Sequence, residues 1–334
     1  IAQWGRHAYY RLFHLDDRLI LIIAGSAAGI CSGLAAACLR MSLEHVLEWL
    51  HPFRHHWWAF LLPAVGALLS SFYLNKISRE GAGHGVPEVI YAVSRYGGLL
   101  RLRSSFSRLI SSFLTISSGG SAGPEAPVVM SGSSIGSNIG KVLGLNDRQR
   151  ITLVGCGTAG AIAAIFNAPI AGLVFAIEVI LGEWKLVNII PIAIASVAGA
   201  EVSHAIIPEK VLFNHQPFQT GFQDLMACLG LALLTALVSV FFTKVLRRSG
   251  KLANKTRLSI FTKAVLGGCA VGLIGMFFPV VLGEGYHYIQ SMIQGTFSMG
   301  LFITFVAVFA KIIATSLTLG WGGSGGIFAP CLLI

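Results

Sequence analysis

Charged side chains are scarce in this sequence: Asp, Glu, Lys and Arg make up 11% of its 334 residues, against 54% hydrophobic. That balance excludes an ordinary soluble domain, in which charged residues approach a quarter of the chain. Cysteine is sparse and isolated. Cys31, Cys38, Cys156, Cys228, Cys269 and Cys331 lie singly in apolar segments with no C-x-x-C pair, so neither a zinc framework nor a disulfide scaffold is indicated, and they read as small packing residues. No pair of histidines has H-E-x-x-H spacing, and His51–Trp58 reads as an interfacial loop entering an aromatic belt. Gly140-Lys141 is not a phosphate loop, because Ile135 stands where the first Gly belongs and Val142 where Ser or Thr belongs. The start, Ile1-Ala2-Gln3-Trp4-Gly5-Arg6, shows neither an initiator Met nor the apolar core of a cleavable leader.

What the sequence has in abundance is long apolar runs. Leu19–Cys38, Trp58–Leu74, Asn188–Ile207, Leu225–Val245, Ala264–Leu282 and Leu301–Leu319 are each able to cross roughly 30 Å of hydrocarbon. Further runs at 85–97, 105–118, 125–143 and 151–181 are shorter or cut by Gly and Pro. These suggest helices that stop inside the bilayer, which is tolerated only where protein or a watery cavity covers their ends. The segment His7–Asp17 reads as an interfacial helix. The net charge of +10 is no mark of nucleic acid, because the basic residues gather between apolar runs. Lys244, Arg247, Arg248, Lys251, Lys255 and Arg257 are expected to form a cytoplasmic loop facing anionic lipid headgroups. Gly132, Gly136 and Gly140, four residues apart, predict a close helix contact.

The chain also repeats itself. Setting Phe113–Pro127 over Ser316–Pro330, an offset of 203, matches eight of fifteen positions, and Gly83-His84-Gly85 precedes Gly283-Glu284-Gly285 by 200. Paired, Gly/Pro-broken apolar segments are the mark of an inverted-repeat transporter fold with its site at the repeat interface. A first repeat over 1–205, a connecting loop over 206–220 and a second repeat over 221–334 are expected. Counterparts of 132–185 would fall beyond Ile334, so the chain is expected to be part of a longer one.

Three motifs precede helix-competent runs: Gly83-His84-Gly85-Val86-Pro87, Gly123-Pro124-Glu125-Ala126-Pro127 and Gly326-Ile327-Phe328-Ala329-Pro330. Glycine permits a sharp turn and close backbone approach, and Pro suits a first helical turn. Each motif therefore reads as a helix amino end offering N–H groups to an anion. The backbone positions expected to line such a site are Gly83, His84, Gly85, Val86, Gly123, Ala126, Gly326, Ile327, Phe328 and Ala329. Glu125 is a carboxylate at bilayer depth, where an ionisable group defaults to a functional role. Tethered beside a helix amino end, it would occupy the place of a free anion and leave it on protonation.

Taken in this order, and with Gly155–Gly160 leading to Phe166-Asn167-Ala168-Pro169-Ile170-Ala171-Gly172, the motifs resemble the CLC family of chloride channels and proton/chloride antiporters over about residues 15–334. The resemblance implies an all-α, inverted-repeat membrane protein with re-entrant helices, a homodimer with one anion path per subunit. It also implies a bacterial-type member in the cell membrane, with no metal, catalytic group or cofactor and with chloride as the bound substrate. In the family the second motif carries the gating glutamate, here Glu125, and the third supplies coordinating amides, here Ile327 and Phe328. Residues 168–205 resemble the dimer-forming helices. Four departures stand out. His84 replaces a serine that touches the central anion, and Ala126 replaces a glycine. Val179 occupies the internal proton-relay position of antiporters. A tyrosine from a late helix lies past the end of this chain.

Anion permeation is thus the expected function. It is expected to be channel-like because an apolar Val179 cannot relay protons, the alternative being a proton-coupled antiporter with another relay. Glu178, about 100° away around the helix, is expected to make structural hydrogen bonds instead. A hydrolase using Glu125 with His84 lacks a nucleophile motif or metal spacing. A cation or neutral-solute carrier would present acidic groups or helix carboxyl ends where these motifs present amino ends.

Overall fold

The computed structural model describes residues 17–50, 52–53, 56–81, 85–207, 221–297 and 300–334. Among them no β-strand forms, and thirteen α-helices follow one another. They are α1 (Asp17–Leu50), α2 (Leu62–Phe72), α3 (Val86–Arg95), α4 (Ser104–Ser117), α5 (Glu125–Val142), α6 (Asp147–Phe166) and α7 (Pro169–Phe175). The remainder are α8 (Leu186–Ile206), α9 (Phe222–Lys255), α10 (Ile260–Phe277), α11 (Tyr286–Ile293), α12 (Leu301–Gly320) and α13 (Phe328–Leu333). Wider turns prolong α2 over Tyr73–Ser78 and α7 over Ala176–Leu181. The expected interfacial helix lies outside the described residues except at Asp17, where α1 begins.

Each of the six expected spans overlaps a helix long and apolar enough to cross a membrane, although that over Ala264–Leu282 ends at Phe277, and α6 is a seventh among the described residues. Its sequence is diluted by Gly, Ala and Thr, which hid it among the broken runs. The dilution has a packing reason: 83% of its apolar window is buried in protein, against 6% for α9. A helix that faces protein needs small side chains, whereas one that faces lipid needs apolar ones. The basic cluster at 244–257 departs from expectation. All but Arg257 of these residues lie on the last turns of α9 rather than in a loop. With 34 residues, α9 is about 51 Å long and outruns the hydrocarbon, so its cationic end lies beyond the apolar core and complements the helix dipole.

Two compact units are distinguished, interleaved along the chain. One comprises Ile1–Leu50, Leu74–Phe113 and Pro124–Val211; the other comprises His51–Tyr73, Leu114–Gly123 and Leu212–Ile334. In the first, α1, α5, α6 and α8 pack through glycine. A side chain at Gly132 or Gly136 would strike the backbone of Gly157 or Leu153 on α6, as the four-residue spacing predicted. Gly29, Gly160 and Gly199 bring α1, α6 and α8 into mutual backbone contact. Hydroxyls fill the remaining polar need. Ser133 and Thr158 bond across α5 and α6 at 2.7 Å, and Ser105 and Ser134 across α4 and α5 at 3.0 Å.

The second unit holds the repeat together. Gly123 N–H donates to the Gly326 carbonyl (2.9 Å) and Gly326 N–H to the Gly123 carbonyl (2.6 Å). Ser121 N–H donates to Thr318 Oγ1 and Ser324 N–H to Thr115 Oγ1, both at 3.1 Å. Every one of these contacts is exchanged by the offset of 203, so the two motifs meet about a local two-fold axis. The turn glycines match as well, Gly119 with φ +102° and Gly322 with φ +112°.

Extending the same register upstream sets Arg108 opposite Lys311, and both are buried. Lys311 Nζ donates to the carbonyls of Val281 (3.0 Å) and Gly283 (2.9 Å), fixing the turn ahead of α11. Arg108 Nη2 instead spans both oxygens of Glu88 at 3.1 Å. Replacing Lys311 by Met leaves two buried carbonyls without donors, at about 1–3 kcal/mol each, offset in part by removal of a buried charge. Lys311→Met is therefore expected to lower the thermal midpoint in detergent clearly, and Lys311→Arg to lower it much less. Equal midpoints for wild type and Lys311→Met would show that the ammonium does not hold this turn.

Candidate functional site

In the first unit two helix amino ends come together. Gly85 precedes α3 with φ +72°, and a Cβ there would lie 2.6 Å from the Ala126 carbonyl oxygen. Glycine is thus required twice, for its backbone conformation and for the approach of α3 to the first turn of α5. The N–H groups of Glu88 and Val89 close onto the Gly85 carbonyl (3.1 and 3.2 Å), so α3 starts abruptly. The earlier amide of Val86 belongs to the first turn, which has no intrahelical acceptor. α5 starts in the same way: Val128 N–H donates to the Pro124 carbonyl at 3.0 Å, leaving the Glu125 and Ala126 amides at the tip. Glu125 is 3% exposed and Ala126 7%, and the next two turns are also buried. The sequence therefore places Gly85, Val86, Glu125 and Ala126 in one buried corner. Gly83 and His84 lie outside the described residues.

In the second unit Gly123 and Gly326 form the bridge described above. α13 opens behind Ile327, whose carbonyl accepts from Cys331 N–H at 2.9 Å. Ala329 and Pro330 are buried, whereas Ile327 and Phe328 are each 43% exposed. The tip of α13 thus carries the amides of Phe328 and Ala329. Gly285, the repeat counterpart of Gly85, likewise precedes its helix with positive φ (+90°).

Val179 lies on the prolonged end of α7 and is exposed on a cavity of about 840 Å³ within the first unit. Glu183, Arg148, Lys185, Asn188 and Thr152 share that cavity, and Glu183 is ion-paired with Lys185. Glu178 departs from expectation: it is exposed and has no hydrogen-bond partner among the described residues. It sits in the widened turn that prolongs α7.

Sequence reasoning passed over Glu80, a buried carboxylate that accepts from Ser104 Oγ at 2.9 Å and from Ser107 Oγ. Ser104 and Ser107, on one face of the first turn of α4, are the only local signal for it. Arg108 and Lys311 were also passed over, although the repeat register pairs them.

Re-entrant helices, a two-fold repeat and seven candidate spans define an integral membrane protein of the kind built for moving solutes. The comparisons narrow this. Residues 65–334 match the family described as voltage gated chloride channel. The chain is 28% identical over 330 residues to a ClcB-like protein of Ralstonia nicotianae, covering 94% of this chain and 76% of that one. It is 26% identical over 343 residues to the H(+)/Cl(-) exchange transporter ClcA of Vibrio vulnificus, covering 97% and 72%. Among solved structures it superposes on a CLC-type fluoride/proton antiporter with TM-score 0.81 (21% identity, 93% of this chain, 78% of the other). A slow cyanobacterial Cl-/H+ antiporter gives TM-score 0.80 (20% identity, 93% and 76%). The chain belongs to the voltage-gated chloride channel (CLC) family, and its fold is the CLC fold.

Gly85→Ala should strain φ and collide with the Ala126 carbonyl, a destabilisation of about 1–3 kcal/mol read as a lower thermal midpoint with reduced chloride flux. Gly81→Ala, where nothing lies within 4 Å of the added methyl, is the control and should change neither. If the two variants behave alike, the close approach of α3 to α5 is not required.

Proposed function

We propose that the chain passes chloride, or a similar small anion, across the membrane along a path lined by helix amino ends and gated by Glu125. The observation that carries this reading is a carboxylate 3% exposed at the first position of α5. A buried carboxylate is costly unless something favours its charge, and the positive end of a helix dipole does so. Those same amides suit a free anion, so side chain and anion compete for one place. Protonation removes the competitor. Flux should therefore rise as pH falls through the range in which Glu125 takes up a proton. The amides of Val86, Ala126, Phe328 and Ala329 are assigned to the anion in this reading, with the Gly83, Gly85, Gly123 and Gly326 turns supplying their approach and Ile327 leading into α13. His84 replaces a hydroxyl donor with an imidazole, which donates one N–H when neutral and two when charged. No covalent step, metal or cofactor is involved, so the protein acts as a transporter rather than an enzyme.

The finer reading is channel-like permeation. Proton exchange needs titratable groups or water leading inward to Glu125, and Val179 offers none. Two observations favour the alternative: Glu183 opens on the same cavity as Val179, and relatives in the family bear the name of H(+)/Cl(-) exchange transporters. In that alternative Glu183 is the internal proton acceptor. We place the protein in a bacterial cell membrane as a homodimer joined through residues 168–205, where Ile170, Leu186, Ile190 and Val197 present apolar surface.

Two measurements decide these points. Glu125→Gln, permanently neutral, should permeate anions with most of the wild-type pH response gone; an unchanged pH response removes Glu125 from the gate. Liposomes holding a chloride gradient, with valinomycin to set voltage and an internal pH dye, should show little uphill proton movement for wild type. Robust pumping that disappears in Glu183→Gln would replace the channel-like reading with exchange through Glu183. A flux panel of chloride, fluoride, nitrate and potassium tests the anion class itself.

A further inference from the structure

We propose that the first unit holds one anionic phospholipid in a groove between α1, α4 and α5. The groove encloses about 490 Å³, and its walls are almost wholly apolar, with Ile20, Ile23, Leu102, Phe106, Ile139 and Val142 among them. Leu102, Phe106 and Val142 are each more than half exposed, so the groove opens sideways to the bilayer. Along α1 it runs from Ile20 to Cys31, a rise of about 16 Å. That is about half of a 30 Å hydrocarbon core, the depth of one leaflet and the reach of one acyl chain.

One end of the groove is cationic. Leu21, Leu143 and Leu145 pack in one core cluster, which places the start of α1 beside the end of α5. Arg18 and Lys141 therefore stand at this mouth. The start of α4 lies one to two turns further along α5, where Ser134 Oγ donates to the Arg101 carbonyl (2.6 Å) and Asn138 Nδ2 to that of Leu100 (3.4 Å), so Arg101 and Arg103 flank the side of the groove. All four are exposed, and none forms an ion pair among the described residues. Two unpaired cations at the mouth and two more along one flank, beside an apolar slot one leaflet deep, suit a lipid with a phosphate-borne negative charge. Basic residues on one side also mark the cytoplasmic leaflet, in which anionic lipid gains roughly fivefold in affinity for each nearby Lys or Arg. The inference is independent of which anion the protein moves.

Delipidated protein would be titrated with phosphatidylglycerol or phosphatidylcholine of identical acyl chains, and bound lipid counted by native mass spectrometry. Wild type should prefer phosphatidylglycerol by about tenfold or more. Arg101→Gln/Arg103→Gln/Lys141→Gln should reduce that preference to near unity. Ala27→Phe, which fills the exposed slot, should weaken both lipids by about tenfold while the thermal midpoint stays unchanged. Glycerol 3-phosphate, which has the headgroup charge but no chain, should not displace the lipid. Equal binding of the two lipids by wild type, full displacement by glycerol 3-phosphate, or unaltered binding by Ala27→Phe would each overturn the proposal. A change of oligomeric state in Ala27→Phe with lipid binding intact would also overturn it, by assigning the groove to a second copy of the chain.

Discussion

In hydrocarbon a broken helix leaves amide groups that neither water nor the next turn can satisfy, and here the break after α4 and the break after α12 satisfy each other. Gly123 and Gly326 exchange both of their backbone bonds, while Ser121 and Ser324 donate crosswise to Thr318 and Thr115. Because each partner is the repeat image of the other, neither break could be closed this way without its counterpart. The chain can therefore end helices inside the membrane and start α13 there. The stretch through Gly123 also fixes where the chain turns into α5. Glu125 stands at a helix tip because the strap two residues earlier forbids the helix from starting sooner.

The same demand explains how so few charges are distributed. Buried polar groups in this protein are mostly hydroxyls bonded to backbone or to one another, which costs far less than burying ions. Among the described residues the exceptions have dedicated partners: Glu80 with Ser104 and Ser107, Arg108 with Glu88, Arg150 with Gly97 and Asp147, and Lys311 with two carbonyls. Arg108 and Lys311 occupy equivalent places in the repeat yet use different acceptors, a carboxylate in one and the main chain in the other. A cation is retained at each equivalent position, while the group it satisfies has diverged with the local sequence. Glu125, by contrast, is buried at the tip of α5.

Transport by such an architecture turns on which carboxylates can reach water. Glu125 is enclosed at the tip of α5, whereas Glu183 opens on a cavity of about 840 Å³ beside Val179. Val179 is apolar, but its surroundings are not: Arg148, Asn188 and Thr152 line the same space. The two readings proposed above differ in whether water in that cavity connects onward, which is a property of packing rather than of residue type at one position.

Much of this protein could be read from its residues. The apolar runs gave six of seven spans, since crossing hydrocarbon is a matter of length and hydropathy. The Gly/Pro motifs marked the helix tips, since only glycine tolerates φ near +72° at Gly85 and a first turn accepts Pro127 without losing a hydrogen bond. The offset of 203 announced the two-fold relation. Tertiary structure alone decided the rest. α6 was obscured because a helix shielded by protein no longer needs lipid-like side chains. Glu80 and its serines lie 24 to 27 residues apart in sequence, and no local pattern couples a carboxylate to hydroxyls at that distance. The basic cluster at 244–257 read as a loop because charge ends a membrane run, whereas the backbone carries the helix on through it. Periodicity and turn chemistry are local, and a sequence shows them directly. Which buried polar group meets which partner depends on how distant helices pack, and only the folded chain reveals it.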